Sequence, residues 1–417
     1  MKVCMLTTFF GAHSFGGDAA YVDRLSRALL RRGHQVDVVH SVDAFEAVRG
    51  GQLRRPYTPP PGLRVHALQQ PLGRWSVLWA HQTGRPGPLL PAIRRVLDSD
   101  DFDVLHFHNI SLIGGPAILS VRSRNPHAVK LMSVHEHWLL CPLSLLWKLH
   151  RQPCDRPACL RCTVAAGRPP QLWRYTGLLS RAVRHVDAFL FPSRHTLDLH
   201  RRRGLRSADL HHLPYFLPED WAAPTGGEDQ TPAYSERPYF AAAGRLVEEK
   251  GFQRLIPLLA RMPEADLKIA GVGPLAAALR DMAAGLPNVQ FLGWLDHAAL
   301  ARLYAGARAT LVPSLFCETF GYVVAESCAM GAPVIVRRVG ALPELIRDSG
   351  AGLVCDTDDE WLRAMRTLLY DDDRRRRLGE QGARAVRTIW SEDAHLEQYF
   401  ERIAAAQGAR PMTREPG

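Results

Sequence analysis

The stretch Ala309-Thr-Leu-Val-Pro-Ser-Leu-Phe-Cys-Glu-Thr-Phe-Gly-Tyr-Val-Val-Ala-Glu326 contains one complete strand-loop-helix unit. The apolar run from Ala309 to Val312 predicts a buried strand, and Gly321 stands where a helix would begin. Glu318 then falls in the loop and Glu326 lies one to two turns into the helix, so both carboxylates can face one crevice. Two solvated surface acids would show the same spacing.

The groups in this unit suit a sugar nucleotide. Carboxylates accept hydrogen bonds from the hydroxyls of a polyol. The backbone amides of Phe320, Gly321 and Tyr322, at a helix N-terminus, are suited to a phosphate. The segment therefore predicts a site for a sugar nucleotide.

The same strand-helix pattern repeats along the whole chain. Apolar runs of about four to eight residues alternate with amphipathic stretches, which is typical of parallel sheets buried on both faces. At 417 residues the chain is too long for one typical core. We therefore predict an α/β protein with two Rossmann-like domains. The predicted strands are Lys2 to Thr8, Val36 to His40, Leu63 to Leu68, Val104 to His108, Val129 to His135, Ala188 to Pro192, Tyr239 to Ala243, Asp266 to Ala270, Val289 to Leu292, Ala309 to Val312, Pro333 to Val336 and Gly352 to Cys355.

Composition places the domain boundaries. Residues 218–238 form a polar stretch crowded with proline and glycine, which predicts a linker between domains at 1–217 and 239–389. Residues 390–417 predict an amphipathic helix that packs back across the junction, followed by a tail. Open α/β sheets bind ligands at the carboxyl ends of their strands, so we expect a cleft between the two facing domains.

Charge and hydropathy exclude several classes. The net charge of +10 comes almost wholly from arginine, and the basic runs are scattered, so no stripe for nucleic acid emerges. The N-terminus predicts a buried strand rather than a signal peptide, and no window is long enough to predict a transmembrane helix. We expect a cytoplasmic protein, with peripheral contact to the inner face of the membrane left open. The apolar stretch Leu139 to Leu149 is a candidate for that contact.

Two further loops that follow predicted strands carry candidate binding groups. Gly16 and Gly17 let backbone amides approach a ligand closely, although a simple turn would contain the same pair. Their context matches neither a nicotinamide fingerprint nor a P-loop. Arg245 and Lys250 share one loop, and two fixed cations can neutralise a diphosphate leaving group without a divalent metal. The alternative is a solvated pair beside neighbouring glutamates.

In their order along the chain, these motifs resemble those of retaining GT-B glycosyltransferases of family 4. The resemblance implies the GT-B fold, a nucleotide-sugar donor held mainly by the C-terminal domain, an acceptor held by the N-terminal domain, and no catalytic cofactor. It also implies that Arg245 and Lys250 bind the donor diphosphate, that Glu326 binds the ribose, and that Glu318 binds the transferred sugar with the Phe320 and Gly321 amides. The resemblance places the nucleobase of the donor near Trp294. The motifs are Gly16-Gly17, Gly244-Arg-Leu-x-x-x-Lys-Gly251, Gly271-Val-Gly-Pro274, Phe291-Leu-Gly-Trp294, Pro313-Ser314, Glu318-x7-Glu326 and Gly340-Ala-Leu-Pro-Glu344.

Histidines end two predicted strands of the first half. His135 lies in a segment that resembles the family stretch close to the sugar and the acceptor, so we expect it in the active site. An imidazole there can hydrogen-bond a sugar hydroxyl or polarise the acceptor. His106 is interpreted as a core residue. His108 is intermediate between a core residue and an active-site residue, and it is a candidate for substrate binding.

Four cysteines fall within a short proline-containing interval that follows His135. Cys141, Cys154, Cys159 and Cys162 suit a tetrahedral structural zinc that would stabilise an insertion over 141–162. An iron-sulfur cluster or unligated thiols are the alternatives.

The sequence therefore predicts a glycosyltransferase that moves a sugar from a nucleoside diphosphate to an acceptor hydroxyl, where the acceptor is a small molecule, a glycan or a glycolipid. Two alternative enzymes use the same donor site: a sugar-phosphate-directed synthase and a nucleotide-sugar hydrolase. A third alternative is a zinc-stabilised binding protein without catalysis.

Overall fold

The fold was obtained as a computed structural model, which describes residues 1–49, 56–149, 151–205, 209–218, 221 and 237–408. Most of the predicted linker at 218–238 lies outside the described residues. The chain separates into two compact units. The first contains Met1–Ser144, Ala158–Leu213 and Leu396–Gly417, and the second contains Leu145–Pro157 and Pro214–His395.

Each unit is built on a parallel sheet. In chain order the strands are β1 (Lys2–Leu6), β2 (Gln35–Ser41), β3 (Leu63–Leu68), β4 (Val104–Phe107), β5 (Val129–Ser133), β6 (Trp147–Lys148), β7 (Gln152–Pro153), β8 (Ala188–Phe191), β9 (Leu210–His212), β10 (Tyr239–Ala243), β11 (Asp266–Ala270), β12 (Val289–Gly293), β13 (Ala309–Val312), β14 (Val334–Arg337) and β15 (Gly352–Cys355).

The sheet of the first unit has the order β3-β2-β1-β4-β5-β8-β9, and the sheet of the second has the order β12-β11-β10-β13-β14-β15. Both sheets have parallel ladders throughout. The central strands are buried along nearly their whole length, as parallel sheets covered on both faces require. The prediction of two Rossmann-like sheets is confirmed.

Four predicted strands end earlier in the structure than the apolar pattern suggested. The runs predicted to reach Thr8, His108, His135 and Pro192 end as strands at Leu6, Phe107, Ser133 and Phe191. Beyond these strand ends the backbone hydrogen bonds lie outside the sheet ladders. For example, the amide of Thr8 donates to Asn109 O at 2.6 Å. The short strand β9 was not predicted, because its His-rich sequence has no apolar run.

The helices alternate with the strands of the two sheets. They are α1 (Gly17–Arg31), α2 (Val42–Arg49), α3 (Arg74–Thr83), α4 (Leu90–Leu97), α5 (Cys159–Ala165), α6 (Leu178–Ala182), α7 (Arg194–Arg202), α8 (Ile256–Ala260), α9 (Ala276–Met282), α10 (His297–Ala305), α11 (Tyr322–Ala329), α12 (Leu342–Ser349), α13 (Asp358–Tyr370), α14 (Asp372–Thr388) and α15 (Glu392–Gly408).

Local sequence explains several helix starts. Ser193 caps α7 by accepting from the Thr196 amide, and Asp296 caps α10 in the same way. Thr357 and Glu360 form a capping box at the start of α13. The predicted terminal helix begins two residues later than expected, at Glu392. Its packing across the junction stays a prediction.

Each unit has its own apolar core. In the first unit, aromatic and aliphatic side chains from β4, β5 and β8 pack with those of α4. In the second, side chains from β10, β11 and β13 pack with those of α8 and α13. Each core supports the carboxyl ends of its strands, where the candidate residues lie.

Candidate functional site

Glu318 is the centre of a polar cluster in the second unit. Its side chain is buried, with 7% of the residue exposed. Lys250 Nζ lies 2.6 Å from Glu318 Oε1, and the hydroxyl of Ser314 donates to the same oxygen at 2.7 Å. A buried carboxylate needs such partners, because desolvation of an unpaired charge is costly. The structure thus brings together two of the predicted site residues, Lys250 and Glu318. It also adds Ser314, to which the sequence analysis assigned no function although Pro313-Ser314 is one of the motifs.

Two glycines fix the loops that carry this cluster. At Gly251, with φ of 76°, a Cβ atom would lie 2.1 Å from Pro313 O. At Gly340, with φ of 57°, a Cβ atom would lie 2.4 Å from Glu318 N. The Ala341 amide also donates to Glu318 O at 2.9 Å. Only glycine fits at these two positions, so the loop of Lys250 lies close to Pro313 and the Gly340 turn lies close to the Glu318 backbone.

The helix α11 begins where the sequence predicted. Gly321 is its N-cap, with φ of 107°. Phe320 is buried beside this turn, and its ring packs against Tyr322 at 5.6 Å between centroids. The amides of these residues lie at the positive end of α11, which suits an anionic group.

Glu326 lies in the second turn of α11 and has a different environment from Glu318. The hydroxyl of Tyr304 donates to Glu326 Oε2 at 3.5 Å. Burial and the Glu326 charge hold the pKa of Tyr304 well above its usual value, so Tyr304 stays a donor. Tyr304 gave no signal in the sequence because it lies within α10 and outside every motif.

Arg245 and Trp294 are more exposed than the other predicted residues of this unit. The Arg245 side chain is 55% exposed, and its Nη2 atom lies 3.8 Å from Glu249 Oε1. Trp294 follows β12 and is 59% exposed. Both therefore present most of their surface to a ligand or to water. The motif glycine Gly271 has a packing role, because a Cβ atom there would lie 1.8 Å from Gly244 O.

In the first unit, Gly16 and Gly17 lie at the start of α1. Gly16 is the N-cap, with φ of 92°, and both glycines are exposed. Beside them, Asn109 Nδ2 donates to Asp18 Oδ2 at 3.1 Å. Burial raises the pKa of Asp18. A ligand can approach the backbone amides closely at this turn, as predicted from the two glycines. Asp18 adds a carboxyl group that was not among the predicted site residues.

Three histidines of the first unit form a connected group. His108 Nδ1 lies 2.9 Å from His135 Nε2, and the two rings are stacked at 20°. His106 is fully buried and bonds to Ser133 Oγ at 2.9 Å and to Tyr399 OH at 3.1 Å. Tyr399 lies on α15. Both nitrogens of His106 are thus used inside the fold, whereas the His108-His135 pair borders open space.

That space is a small cavity at the carboxyl ends of β4 and β5. His108, Asn109, His135, Glu136 and Trp138 contribute to its lining. Burial lowers the pKa of His135 to about 3, and burial together with the neighbouring histidines holds the pKa of His108 well below its usual range. Both imidazoles are therefore neutral at physiological pH and can donate through one nitrogen and accept through the other.

Glu136 was not predicted as a site residue. Burial, and then the charge of Asp18, raises the pKa of Glu136 to about 7. Unlike its neighbour His135, Glu136 belongs to no recognised motif. Its position at the end of a buried strand was the signal that could have identified it.

The four clustered cysteines are not joined in disulfide bonds in the structure. Cys154 belongs to the second unit, while Cys141, Cys159 and Cys162 belong to the first. Among the residues that the structure describes, no three or more His, Cys, Asp or Glu side chains are grouped to hold a metal. Zinc binding, and the alternative of an iron-sulfur cluster, stay predictions.

The apolar stretch Leu139 to Leu149 offers little surface to a membrane. Leu139, Leu146 and Trp147 are buried, and Leu149 is 38% exposed. Within the described ranges, the helices are too short or too polar to cross a bilayer.

Comparisons with known proteins agree with this geometry. Residues 16–215 match the model described as glycosyl transferase 4-like domain, and residues 228–385 match the model described as glycosyl transferases group 1. Together the two matches include both units and most of the motifs.

Relatives and solved structures extend the likeness. The chain is 33% identical over 221 residues to a D-inositol 3-phosphate glycosyltransferase from Corynebacterium kroppenstedtii, a match that covers 46% of this chain and about half, 49%, of the relative. A protein of the same description from Xylanimonas cellulosilytica is 28% identical over 96% of this chain and 94% of its own length. Among solved structures, Thermosynechococcus elongatus sucrose-phosphate synthase superposes with a TM-score of 0.73 at 20% identity, covering 97% of this chain and 99% of that one. Anabaena HepE, solved with UDP-glucose, gives 0.68 at 15% identity, covering 97% of this chain and 100% of that one.

Proposed function

Since the chain belongs to the glycosyl transferases group 1 family, the retaining GT-B glycosyltransferases of family 4, we propose that it transfers a sugar from a nucleoside diphosphate to an acceptor hydroxyl. The observation that carries the proposal is the buried Glu318 carboxylate with Lys250 and Ser314 on one of its oxygens. A carboxylate fixed in this way beside the start of α11 can accept hydrogen bonds from sugar hydroxyls through its second oxygen.

In the reaction that we propose, the bond between the anomeric carbon and the diphosphate oxygen breaks. A bond from the acceptor oxygen to that carbon forms on the same face, and the acceptor proton passes to the departing phosphate oxygen. The products are a glycoside and a nucleoside diphosphate. No enzymic nucleophile is needed in this scheme, so the protein contributes orientation and charge.

Arg245 and Lys250 would stabilise the charge that develops on the departing diphosphate. Lys250 is three-quarters enclosed and held by Glu318, whereas Arg245 is free to reorient because most of its side chain is exposed. Cations in a partly desolvated site act strongly on developing charge. We assign Lys250 the fixed contact and Arg245 a mobile one.

The other residues of the second unit would hold the rest of the donor. Glu326, with Tyr304 as its donor, would accept the ribose hydroxyls. The amides of Phe320, Gly321 and Tyr322, at the start of α11, would face a donor phosphate or sugar oxygen. Trp294, with its exposed ring, would lie near the base of the donor.

In the first unit, the neutral His108-His135 pair would hydrogen-bond a hydroxyl of the sugar or of the acceptor. Gly16 and Gly17 would bring backbone amides close to the donor or acceptor. The acceptor itself would be a small molecule, a glycan or a glycolipid, and we propose a cytoplasmic enzyme with peripheral membrane contact.

A panel of UDP- and GDP-sugars, screened by thermal shift, tests whether the protein binds a nucleotide-sugar donor, because a bound ligand raises the apparent stability of the protein. The best donor is then incubated with the protein, with and without candidate acceptors, and the nucleoside diphosphate is quantified. Acceptor-dependent release supports transfer, whereas equal release without an acceptor would identify a hydrolase.

The variant Lys250→Ala should lower acceptor-dependent release by about two orders of magnitude, the size of effect seen when a preorganised charge-stabilising group is removed. Arg377→Ala, an exposed arginine on α14, is the matched control and should leave turnover unchanged. No stabilisation by any nucleotide sugar would favour a binding protein without catalysis.

A further inference from the structure

Helix α3 carries apolar side chains on two opposite faces. On the inner face, Val77 packs in a small cluster with Phe9 and Phe45. The opposite face, which we call the outer apolar face, consists of four large residues on and just before the helix. Their exposed fractions are 54% for Leu72, 60% for Trp75, 39% for Leu78 and 51% for Trp79. Grouped apolar exposure of this kind marks an interaction surface, whereas single exposed residues do not.

The outer apolar face is presented by a fixed helix. Asp43 Oδ2 accepts from the Gln70 amide at 2.9 Å and from the Ser76 hydroxyl at 3.4 Å, which ties down the helix start. At the other end, Trp173 Nε1 donates to His81 O at 2.9 Å. The Trp79 ring also covers Gly87, where a Cβ atom would lie 2.2 Å from Trp79 Cδ1. The exposed side chains are therefore held in place outside the core.

The segment of the chain that contains α3 is basic. From Ala47 to Leu97 the sequence contains eight arginines and no aspartate or glutamate. The Arg74 guanidinium lies over the Trp75 ring, 5.5 Å from its centroid. Two further exposed apolar residues, Leu172 and Tyr175, flank Trp173, which bonds to the end of α3.

We propose that the outer apolar face of α3 docks the first unit onto an anionic lipid bilayer. Tryptophan rings favour the boundary between headgroups and acyl chains, and nearby arginines favour anionic headgroups. A second copy of this chain is a poorer partner for the face, because it would place two arginine-rich stretches of two chains with net charge +10 against each other.

The proposal goes beyond sugar transfer and places the first unit at a lipid surface. Vesicle binding is measured without donor or acceptor, so its failure leaves the proposed transfer untouched. Conversely, a protein that binds vesicles but no nucleotide sugar would contradict the transfer proposal alone.

The test is co-sedimentation with vesicles of phosphatidylcholine alone and of an equimolar mixture with phosphatidylglycerol. The unmodified chain should bind the anionic vesicles more tightly, and added salt should weaken that binding. The double variant Trp75→Gln/Leu78→Gln should lose about tenfold or more in vesicle affinity, since it removes buried apolar area at the interface. Arg74→Glu should lose about fivefold or more, from the contribution of one basic residue at an anionic surface.

Matched controls come from the second unit. Tyr370→Gln removes an equally exposed aromatic ring, and Arg376→Glu reverses an equally exposed arginine; neither should change vesicle binding. Unchanged thermal midpoints show that the α3 variants fold.

Three results would overturn the proposal. The first is equal binding to both vesicle compositions or to neither. The second is binding by the Trp75→Gln/Leu78→Gln variant that matches the unmodified chain. The third is a lipid-free dimer that this double variant dissociates, because the face would then be an interface between copies.

Discussion

Lys250 and Glu318 are 68 positions apart in the chain, and their side chains meet at 2.6 Å between Nζ and Oε1. The pair joins the loop after β10 to the loop after β13. Because Glu318 is buried and Lys250 is partly open, the lysine can contact a ligand anion while it stays paired with the glutamate. This relationship leads to the first prediction.

Lys250→Ala should destabilise the fold only modestly, by about 1 kcal/mol, because Lys250 is partly exposed and solvent screens the pair. Ser314 still donates to Glu318 in this variant. In the double-mutant cycle with Glu318→Gln, turnover losses should be strongly non-additive if the two residues act as one unit. Additive losses would show that they act independently.

Glu318 and Glu326 should have separable roles. Glu326→Ala should weaken binding of the free nucleoside diphosphate by about tenfold, the effect of losing one or two hydrogen bonds to a charged group. Glu318→Ala should mainly lower turnover. Tyr304→Phe is the matched control, because it removes the 3.5 Å contact to Glu326 and keeps the ring. Calorimetry measures the affinity for the nucleoside diphosphate, and steady-state kinetics measures turnover. Equal losses of affinity and of turnover in both variants would contradict the separate roles.

Stability should fall on acidification through His135. Burial lowers its folded-state pKa from 6.5 to about 3, so the unfolded chain binds a proton in that window and the folded chain does not. The contribution to stability is therefore complete above the unfolded pKa and declines by about 1.4 kcal/mol per pH unit below it. His135→Asn should flatten the pH profile of the thermal midpoint over this window. His185→Gln, at an exposed position, should leave the profile unchanged.

Gly340→Ala should harm both stability and turnover. The residue has φ of 57°, and a Cβ atom would meet Glu318 N at 2.4 Å and Glu318 O at 2.5 Å. Gly33→Ala is the matched control: it has φ of 77° with no other described atom within 4 Å of the added Cβ. Both changes carry backbone strain of about 1–2 kcal/mol, but only Gly340→Ala should displace Glu318 and lower turnover. Equal turnover of the two variants would contradict the role of Gly340.

The cysteine spacing predicts one structural zinc per chain. Elemental analysis of the purified protein, with thiol titration before and after chelation, measures it directly. A metal-free protein with all four clustered thiols reactive on unfolding would contradict the prediction.

Much of the fold could be predicted because it depends on short-range pattern. The buried parallel strands read as apolar runs, and twelve of them were located to within a few residues. Strands such as β9, which lack such a run, were missed because their pairing comes from the neighbouring strand β8. The motifs located the loops after β10 and β13 because strand ends carry ligand-binding residues in this class of fold.

The partners of the site residues could not be predicted from the sequence. His108 meets His135, and His106 meets Tyr399, which is 293 positions away, only because the chain folds back on itself. Exposure also depends on packing: Leu139 and Trp147 are buried, while Trp75 and Trp79 lie on the surface.

By itself, the sequence determined two α/β units, the order of the motifs and hence the family, since strand periodicity and loop chemistry are local properties. Tertiary structure alone decided that Glu318 is paired with Lys250, that His108 and His135 are neutral, and that α3 turns an apolar face outward. These features depend on distances and desolvation between residues far apart in the chain, which no local pattern contains.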